Sequence, residues 1–264
     1  MMSLSSALRP RLGLVLLFSR QELVDRHREN ALGALWLLLQ PLAFIVLFST
    51  VFSHFMRARL GTDADPNAYT IYLICGVLAW NAFANTITRL AGVYTGKAHL
   101  IRKIELDLWV MPLHVLLTEG VVWLISMGFF VLFLLWTGHP PTRLWLGLAP
   151  VMLTLAMLSY GIGLTLGALD VFLPDIKNAL GILLQFGFWM TPVVYLPEIL
   201  PPWAQAWLVW NPLYVIIDAI HQIVVFNRMP AWQPLAWILA GSVVLLLASH
   251  KLLRRLEGEI RDMI

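Results

Sequence analysis

Residues 199–226 read ILPPWAQAWLVWNPLYVIIDAIHQIVVF. Pro201-Pro202 opens this apolar stretch and Asn211-Pro212 divides it. Proline lacks the amide proton that continues a helix, and its ring clashes with the preceding turn. The halves, 199–210 and 213–226, each fall short of the ~20 residues a spanning helix needs. A re-entrant pair of short helices fits, with Pro201, Pro202, Asn211 and Pro212 fixing the breaks. Irregular backbone survives at membrane depth only against protein or a water-filled cavity. The other reading is a seventh, proline-kinked span. It puts the two termini on opposite sides, which the charge distribution opposes.

Around this stretch the chain is apolar nearly throughout. Of 264 residues, 59% are hydrophobic and 12% charged, and 12 are Trp. Soluble domains carry roughly 45–50% and ~25%. A soluble fold cannot keep so much apolar surface out of water, so soluble enzyme folds are excluded. The net charge of +3 is too small and scattered for a nucleic-acid surface. An all-α integral membrane protein is expected, with spans over 31–56, 69–88, 111–137, 144–169, 178–196 and 233–250. The apolar run 12–18 follows Arg9 and Arg11 but is too short for a signal sequence and has no small-x-small cleavage site. Residues 4–22 read instead as an amphipathic helix on the membrane surface, with Leu12, Val15 and Leu16 on one face. With this topology, 14 of the 18 Lys and Arg fall on one side: in the N-terminal segment, 89–103, Lys177 and the tail after residue 250. Arg57, Arg59, Arg143 and Arg228 fall on the other. Basic loops stay in the cytoplasm, so both termini are expected inside and the re-entrant stretch outside.

Catalytic and metal-binding patterns are missing. The sequence has no HExxH, no CxxC and no Ser-His-Asp arrangement, and Cys75 has no partner for a disulfide within the chain. Gly92 to Ala98, GVYTGKA, is one residue short of a phosphate-binding loop and lacks its hydroxyl residue. Any energy for transport must come from a partner or an ion gradient. The row Ser159, Gly163, Gly167 reads as close helix packing. Ionisable groups at membrane depth are functional candidates by default. Glu119 has two readings, a structural hydrogen bond to a neighbouring helix or a transport role. His114, Asp170, Asp175 and Asp218 are dispersed. Over 97–109 both signs of charge alternate with apolar residues, which suggests a short helix that docks on protein through Arg102, Lys103, Glu105 and Asp107. Aromatic faces offer apolar area with little rotamer entropy at stake. Trp36, Gln40, Phe44 and Phe48 share one face of the first span. Tyr69, Tyr72, Trp80 and Phe83 lie along the second span, and Gln185, Trp189 and Tyr195 on the fifth. Such stripes either pack on lipid or other helices or line a channel; an amide is costly against lipid, so Trp36, Gln40, Phe44, Gln185, Trp189 and Tyr195 are expected to face inward, toward a substrate channel.

Four places together resemble the permease subunits of type-2 ABC exporters, in the branch that exports O-antigen, capsular polysaccharide and teichoic acid. Asp25 to Trp36, DRHRENALGALW, with Gln40-Pro41, looks like the family's start of span one, R-Y-K/R-x-S/T-x-L-G-x-x-W then P. Leu100-Ile101-Arg102-Lys103 is similar to its N-L-I/V-K/R-K segment. Asp175-Ile176-Lys177-Asn178, Gln185 and Thr191-Pro192-Val193-Val194-Tyr195 look like its R-D-I/L-x-x, Q and S/T-P-I/V-x-Y run. Asn211-Pro212-Leu213 is similar to its N-P-L/M. The sequence departs from the pattern at His27, Glu29, Asn30, His99 and Pro174.

The resemblance implies a homodimer of twelve spans in the bacterial inner membrane, paired with two copies of a separate ABC ATPase that binds ATP and Mg. This chain would hold no cofactor and no metal. Leu100, Ile101, Arg102, Lys103, Glu105 and Asp107 would dock on the ATPase, helped by the N-terminal helix and the loop 170–177. The re-entrant helices would form the outer gate, and the cargo would be a polyprenyl-diphosphate-linked glycan. A drug or small-lipid exporter of the same fold, or a membrane-embedded transferase, are the alternatives.

Overall fold

A computed structural model describes residues 4–25, scattered positions within 35–50, and residues 67–103 and 107–264. Most of the expected first span, including Gln40, Phe44 and Phe48, and Glu105 of the docking segment lie outside the described residues. The described chain is helical, with no strand among the described residues. The helices are α1 Leu4–Asp25, α2 Ala68–Ala91, α3 Val93–Gly96, α4 Ala98–Lys103, α5 Leu113–Trp136, α6 Leu148–Asp170, α7 Ile176–Met190, α8 Pro202–Leu208, α9 Pro212–Val224 and α10 Trp232–Met263.

Among the described residues four helical stretches are long and apolar enough to cross a membrane: α2, α5, α6 with its 3-10 lead from Arg143, and α10. The bent pair α8 and α9 makes a fifth if counted as one span. The expectation of six spans therefore exceeds what these helices establish. The expected fifth span, 178–196, differs most: α7 stops at Met190 after 15 residues, and 191–196 is a turn. Pro192 cannot continue the amide ladder there. The expected docking helix over 97–109 is also corrected. Helix α4 covers Ala98–Lys103, while 108–112 are turns that lead to Pro112. In the opposite direction, α10 runs 13 residues past the expected end at 250, because Leu253, Leu256 and Ile260 keep the helical period after the apolar run stops.

Helix α2 is the axis of the bundle. It packs against α6, α5, α9 and α7, and α10 packs along the far side of α6. Gly163 and Gly167 make the α2–α6 approach possible. A Cβ at Gly163 would lie 2.6 Å from the Leu90 side chain, and one at Gly167 would lie 2.4 Å from the Leu90 carbonyl oxygen. The small-residue row is thus a packing seam. The aromatic row of the second span also turns inward. Tyr72, Trp80 and Phe83 are buried, and Trp80 meets Phe188 edge-on at 5.5 Å. Gly138, at φ +83°, ends α5 in the left-handed conformation that glycine adopts freely.

Candidate functional site

Glu22, near the end of α1, faces the bundle. It receives Arg89 from the last turn of α2, Lys97 at 3.5 Å, and Nε2 of His114 from the first turn of α5. Arg89 also grips Glu119, about one turn further into α5 than His114, and bonds Thr118 Oγ1 at 3.3 Å. Glu119 is 3% exposed and His114 fully buried. The His114 Nδ1 faces the Met111 carbonyl oxygen. The ring thus lies between the Glu22 carboxylate and the Met111 carbonyl. An isolated carboxylate at this depth is costly; pairing with Arg89 answers that cost. Burial raises the Glu22 pKa, but the His114 hydrogen bond and the charges of Arg89, His114 and Lys97 outweigh it and hold the carboxyl well below the usual carboxylate range. Glu119 is the deep end of an ion network joining α1, α2 and α5.

A second ion pair lies beside the first. Lys177 Nζ reaches Asp170 Oδ2 at 2.9 Å and Thr95 Oγ1 at 2.7 Å, and Thr95 Oγ1 donates to Asp170 Oδ2 at 2.9 Å. The loop after α6 is thereby tied to α3, directly before the docking segment. Of that segment, Arg102 and Lys103 point outward, Asp107 is exposed, and Leu100 is half-buried. Ile101 is 4% exposed and packs with Tyr94, Leu108 and Met111. With Arg102 and Lys103 outward on so short a helix, Ile101 is its inward anchor. On α1 the expected face also divides. Val15 and Phe18 turn inward with Glu22, while Leu16 is exposed. Positions i, i+3 and i+7 of a helix share a face, which unites the first three and leaves Leu16 out.

The opposite end of the bundle is joined by neutral groups. Tyr69 donates to the Val194 carbonyl at 2.6 Å and Tyr72 to that of Tyr195 at 3.0 Å. The His221 ring stacks on Tyr72 at 3.6 Å, with Nε2 3.0 Å from the Tyr72 carbonyl oxygen. Asn211 caps α9: its Oδ1 accepts from Leu213 N at 3.0 Å, and its Nδ2 donates to Thr191 Oγ1 at 2.9 Å. Pro202 and Pro212 occupy the first helical positions of α8 and α9, where a missing amide proton costs nothing, and Pro201 precedes α8. The two helices meet at 93°. All four residues expected at the outer gate therefore sit at helix starts.

Of the expected channel residues, Trp36 is 41% exposed and Trp189 is 61% exposed; Gln185 shares the open face of α7. Tyr195 is half-buried and donates to the Trp189 carbonyl at 2.7 Å. Gln185 and Trp189 lie together on a face that the described residues leave exposed.

These features describe a multi-pass helical membrane protein with its charge gathered at one end and a broken helix pair at the other. Residues 14–225 match the family described as ABC-2 type transporter, and the chain belongs to it. It is 27% identical over 256 residues to an O-antigen export system permease protein RfbA of Myxococcus xanthus, covering 96% of this chain and 95% of that one. It is 26% identical over 205 residues to an O-antigen export system permease protein RfbA of Klebsiella pneumoniae, covering 77% of each. It is 22% identical over 242 residues to the polysialic acid transport protein KpsM of Escherichia coli, covering 90% of this chain and 91% of that one. The sequence reading missed the Glu22–Arg89–Glu119 network. The available signal was that Arg89 and Glu119 each ended or entered a span as a lone charge.

Proposed function

We propose that this chain is the permease of an ATP-driven exporter that moves a lipid-linked polysaccharide out of the cytoplasm. The carrying observation is similarity over nearly the whole length to permeases named for O-antigen export. In this reading the chain works as two copies with two copies of a separate ABC ATPase, in the bacterial inner membrane. The cargo is a polyprenyl-diphosphate-linked glycan, and ATP and Mg belong to the ATPase. The ionic end is cytoplasmic, as the basic residues gathered in 89–103, at Lys177 and beyond 250 support. Arg102, Lys103, Glu105 and Asp107 meet the ATPase. The α3 turn, held by Lys177 and Asp170, and α1, held through Glu22, carry its movement to α2 and α5. The α8–α9 pair closes the outer mouth. Gln185 and Trp189, with Trp36, Gln40, Phe44 and Tyr195, line a passage between the two copies, where weak aromatic contacts let sugars slide.

The test is co-expression with a candidate ABC ATPase from the same source, in cells lacking their own O-antigen exporter. Co-purification of the two chains and glycan appearing at the cell surface are expected. An isolated chain that binds no ATPase and restores no export overturns the reading. Orientation is read separately by replacing Cys75 and placing single cysteines at Pro141 or Gly258. An impermeant thiol reagent should label the first in intact cells, and labelling of the second would reverse the topology.

A further inference from the structure

Helix α10 has 32 residues, about 48 Å at ~1.5 Å per residue, against a hydrocarbon layer of about 30 Å. Its last 13 residues project beyond the apolar run at the end of the bundle that carries α4. Seven of the twelve residues 251–262 are charged. The apolar side of this projection is already used. Leu253, Ile260 and Ile264 are buried in one cluster with Ile101, Leu108 and Met111. The turn between α4 and α5 is held from both sides: Tyr94 and Tyr160 donate to the carbonyls of Leu108 and Trp109 at 2.9 and 3.2 Å, and the Trp109 ring meets His250 of α10 edge-on at 4.3 Å. A surface helix binds lipid through an apolar face, and here Met263 is the one large apolar side chain of residues 251–264 left exposed.

What remains outward is ordered by sign. Arg254 and Arg255 are exposed nearer the membrane, and Glu259 and Asp262 are exposed near the tip. Arg261 and Glu257 satisfy each other at 3.0 Å and leave that order unchanged. The order runs against the helix macrodipole, which favours cations at a C-terminus. The macrodipole therefore does not explain them. A partner that presents acidic groups to the first pair and basic groups to the second does, and opposed pairs of sign fix orientation as well as contact.

We propose that the outward face of residues 251–262 is a second docking surface for the exporter's ATPase, continuous with the Ala98–Lys103 segment that it buttresses. This rests on the reading of the chain as an ATPase-coupled permease. The occupant is the ATPase because the face adjoins the segment assigned to it, shares its apolar anchor at Ile101, and carries the same alternation of sign. The tail thus positions the docking segment from behind and meets the same partner beside it.

The experiment uses the full chain co-expressed with its ATPase, comparing wild type with R254E/R255E and E259K/D262K. Each double variant touches only exposed side chains and should reach the membrane at the wild-type level. Each should retain at least tenfold less ATPase on purification and lose surface glycan in proportion. If a reversal lowers the chain's own level, R254Q/R255Q and E259Q/D262N replace it, with the same loss expected. Wild type retaining ATPase while the variants retain it equally, with normal export, overturns this surface and leaves the parent reading standing. Wild type retaining no ATPase overturns both.

Discussion

At the end that carries the termini, α1, α2 and α5 meet through Glu22, Arg89 and Glu119. At the other end, α2, α9 and the turn after α7 meet through the hydrogen bonds and ring stacking of Tyr69, Tyr72, His221 and Asn211. The chemistry differs because the failure of each differs. Ion pairs at membrane depth tolerate small displacement while the charges stay near one another, but removing one partner strands the other in low dielectric. Neutral hydrogen bonds are weaker and directional, so they fix an orientation and release it at modest cost. On the proposed reading, the ionic end must stay assembled while an ATPase pushes on it, and the neutral end must open and reclose.

Arg89→Leu tests the ionic end most severely. It removes the cation that Glu22 and Glu119 share, and a loss of about 3–5 kcal/mol is expected. The check is the thermal unfolding midpoint in detergent, compared with Arg89→Leu combined with Glu119→Leu. The double variant should recover much of the loss, since replacing a buried pair by apolar groups is often close to neutral. A single variant as stable as wild type would show that the network bears no load.

Glu22→Gln sharpens the contrast through pH. Hydrogen bonds to charged groups contribute about 1.5–3 kcal/mol, and a neutral amide keeps only part of that. The folded chain holds the Glu22 carboxyl below its unfolded value, so its contribution is complete above about pH 4.3 and is lost as pH falls toward the lowered value. The gap in unfolding midpoint between wild type and Glu22→Gln should therefore narrow between about pH 4 and pH 3. A gap constant from neutrality to pH 3 would show that the carboxylate is not what Arg89 and His114 stabilise.

Gly76→Ala addresses the neutral end by crowding. The new Cβ would lie 2.6 Å from the Val193 carbonyl oxygen and 2.8 Å from His221 Nε2. The oxygen belongs to backbone and cannot swing away, so a loss of about 1–3 kcal/mol is expected. The His221–Tyr72 stack should loosen first, read as faster amide exchange in α9 with α1 unchanged. Equal exchange at both ends would mean that the two are not separate units.

How much of this was open to the sequence follows the range of the forces. Proline breaks, the Asn211 cap and apolar runs act within a few residues, and the positions of Pro202, Asn211 and Pro212 at helix starts follow from local chemistry alone. Pairings across the fold do not. Glu22 and Arg89 are 67 residues apart, and Tyr72 and His221 are 149 apart, so neither partner marks the other in the chain. The aromatic row Tyr72, Trp80, Phe83 had a period that fits a channel wall or a packing seam equally well, and only the neighbouring helices decide for packing. The tail was passed over for a related reason. Its apolar residues are too sparse for a span, yet Leu253 and Ile260 need only one turn of a distant loop to cover them.

The smallest effect is expected at Asn211, and it separates a cap from a gate. Asn211→Ala removes the acceptor for Leu213 N and the donor to Thr191 Oγ1. Loss of an N-cap costs about 1 kcal/mol, so the chain should fold and insert with a slightly lower midpoint. Adding Pro212→Ala removes the residue that starts α9, and α8 is then free to continue into it as one longer helix in place of the 93° bend. If the bend is only packing, the double variant loses the cap's share of stability and exports normally. If it is the outer gate, export falls, or small solutes leak, well beyond what that share predicts. Surface glycan and solute permeability, measured with the unfolding midpoint on the same preparation, distinguish the two. A double variant that exports at the wild-type level with a sealed membrane would assign the neutral end to packing and remove its role as a mouth.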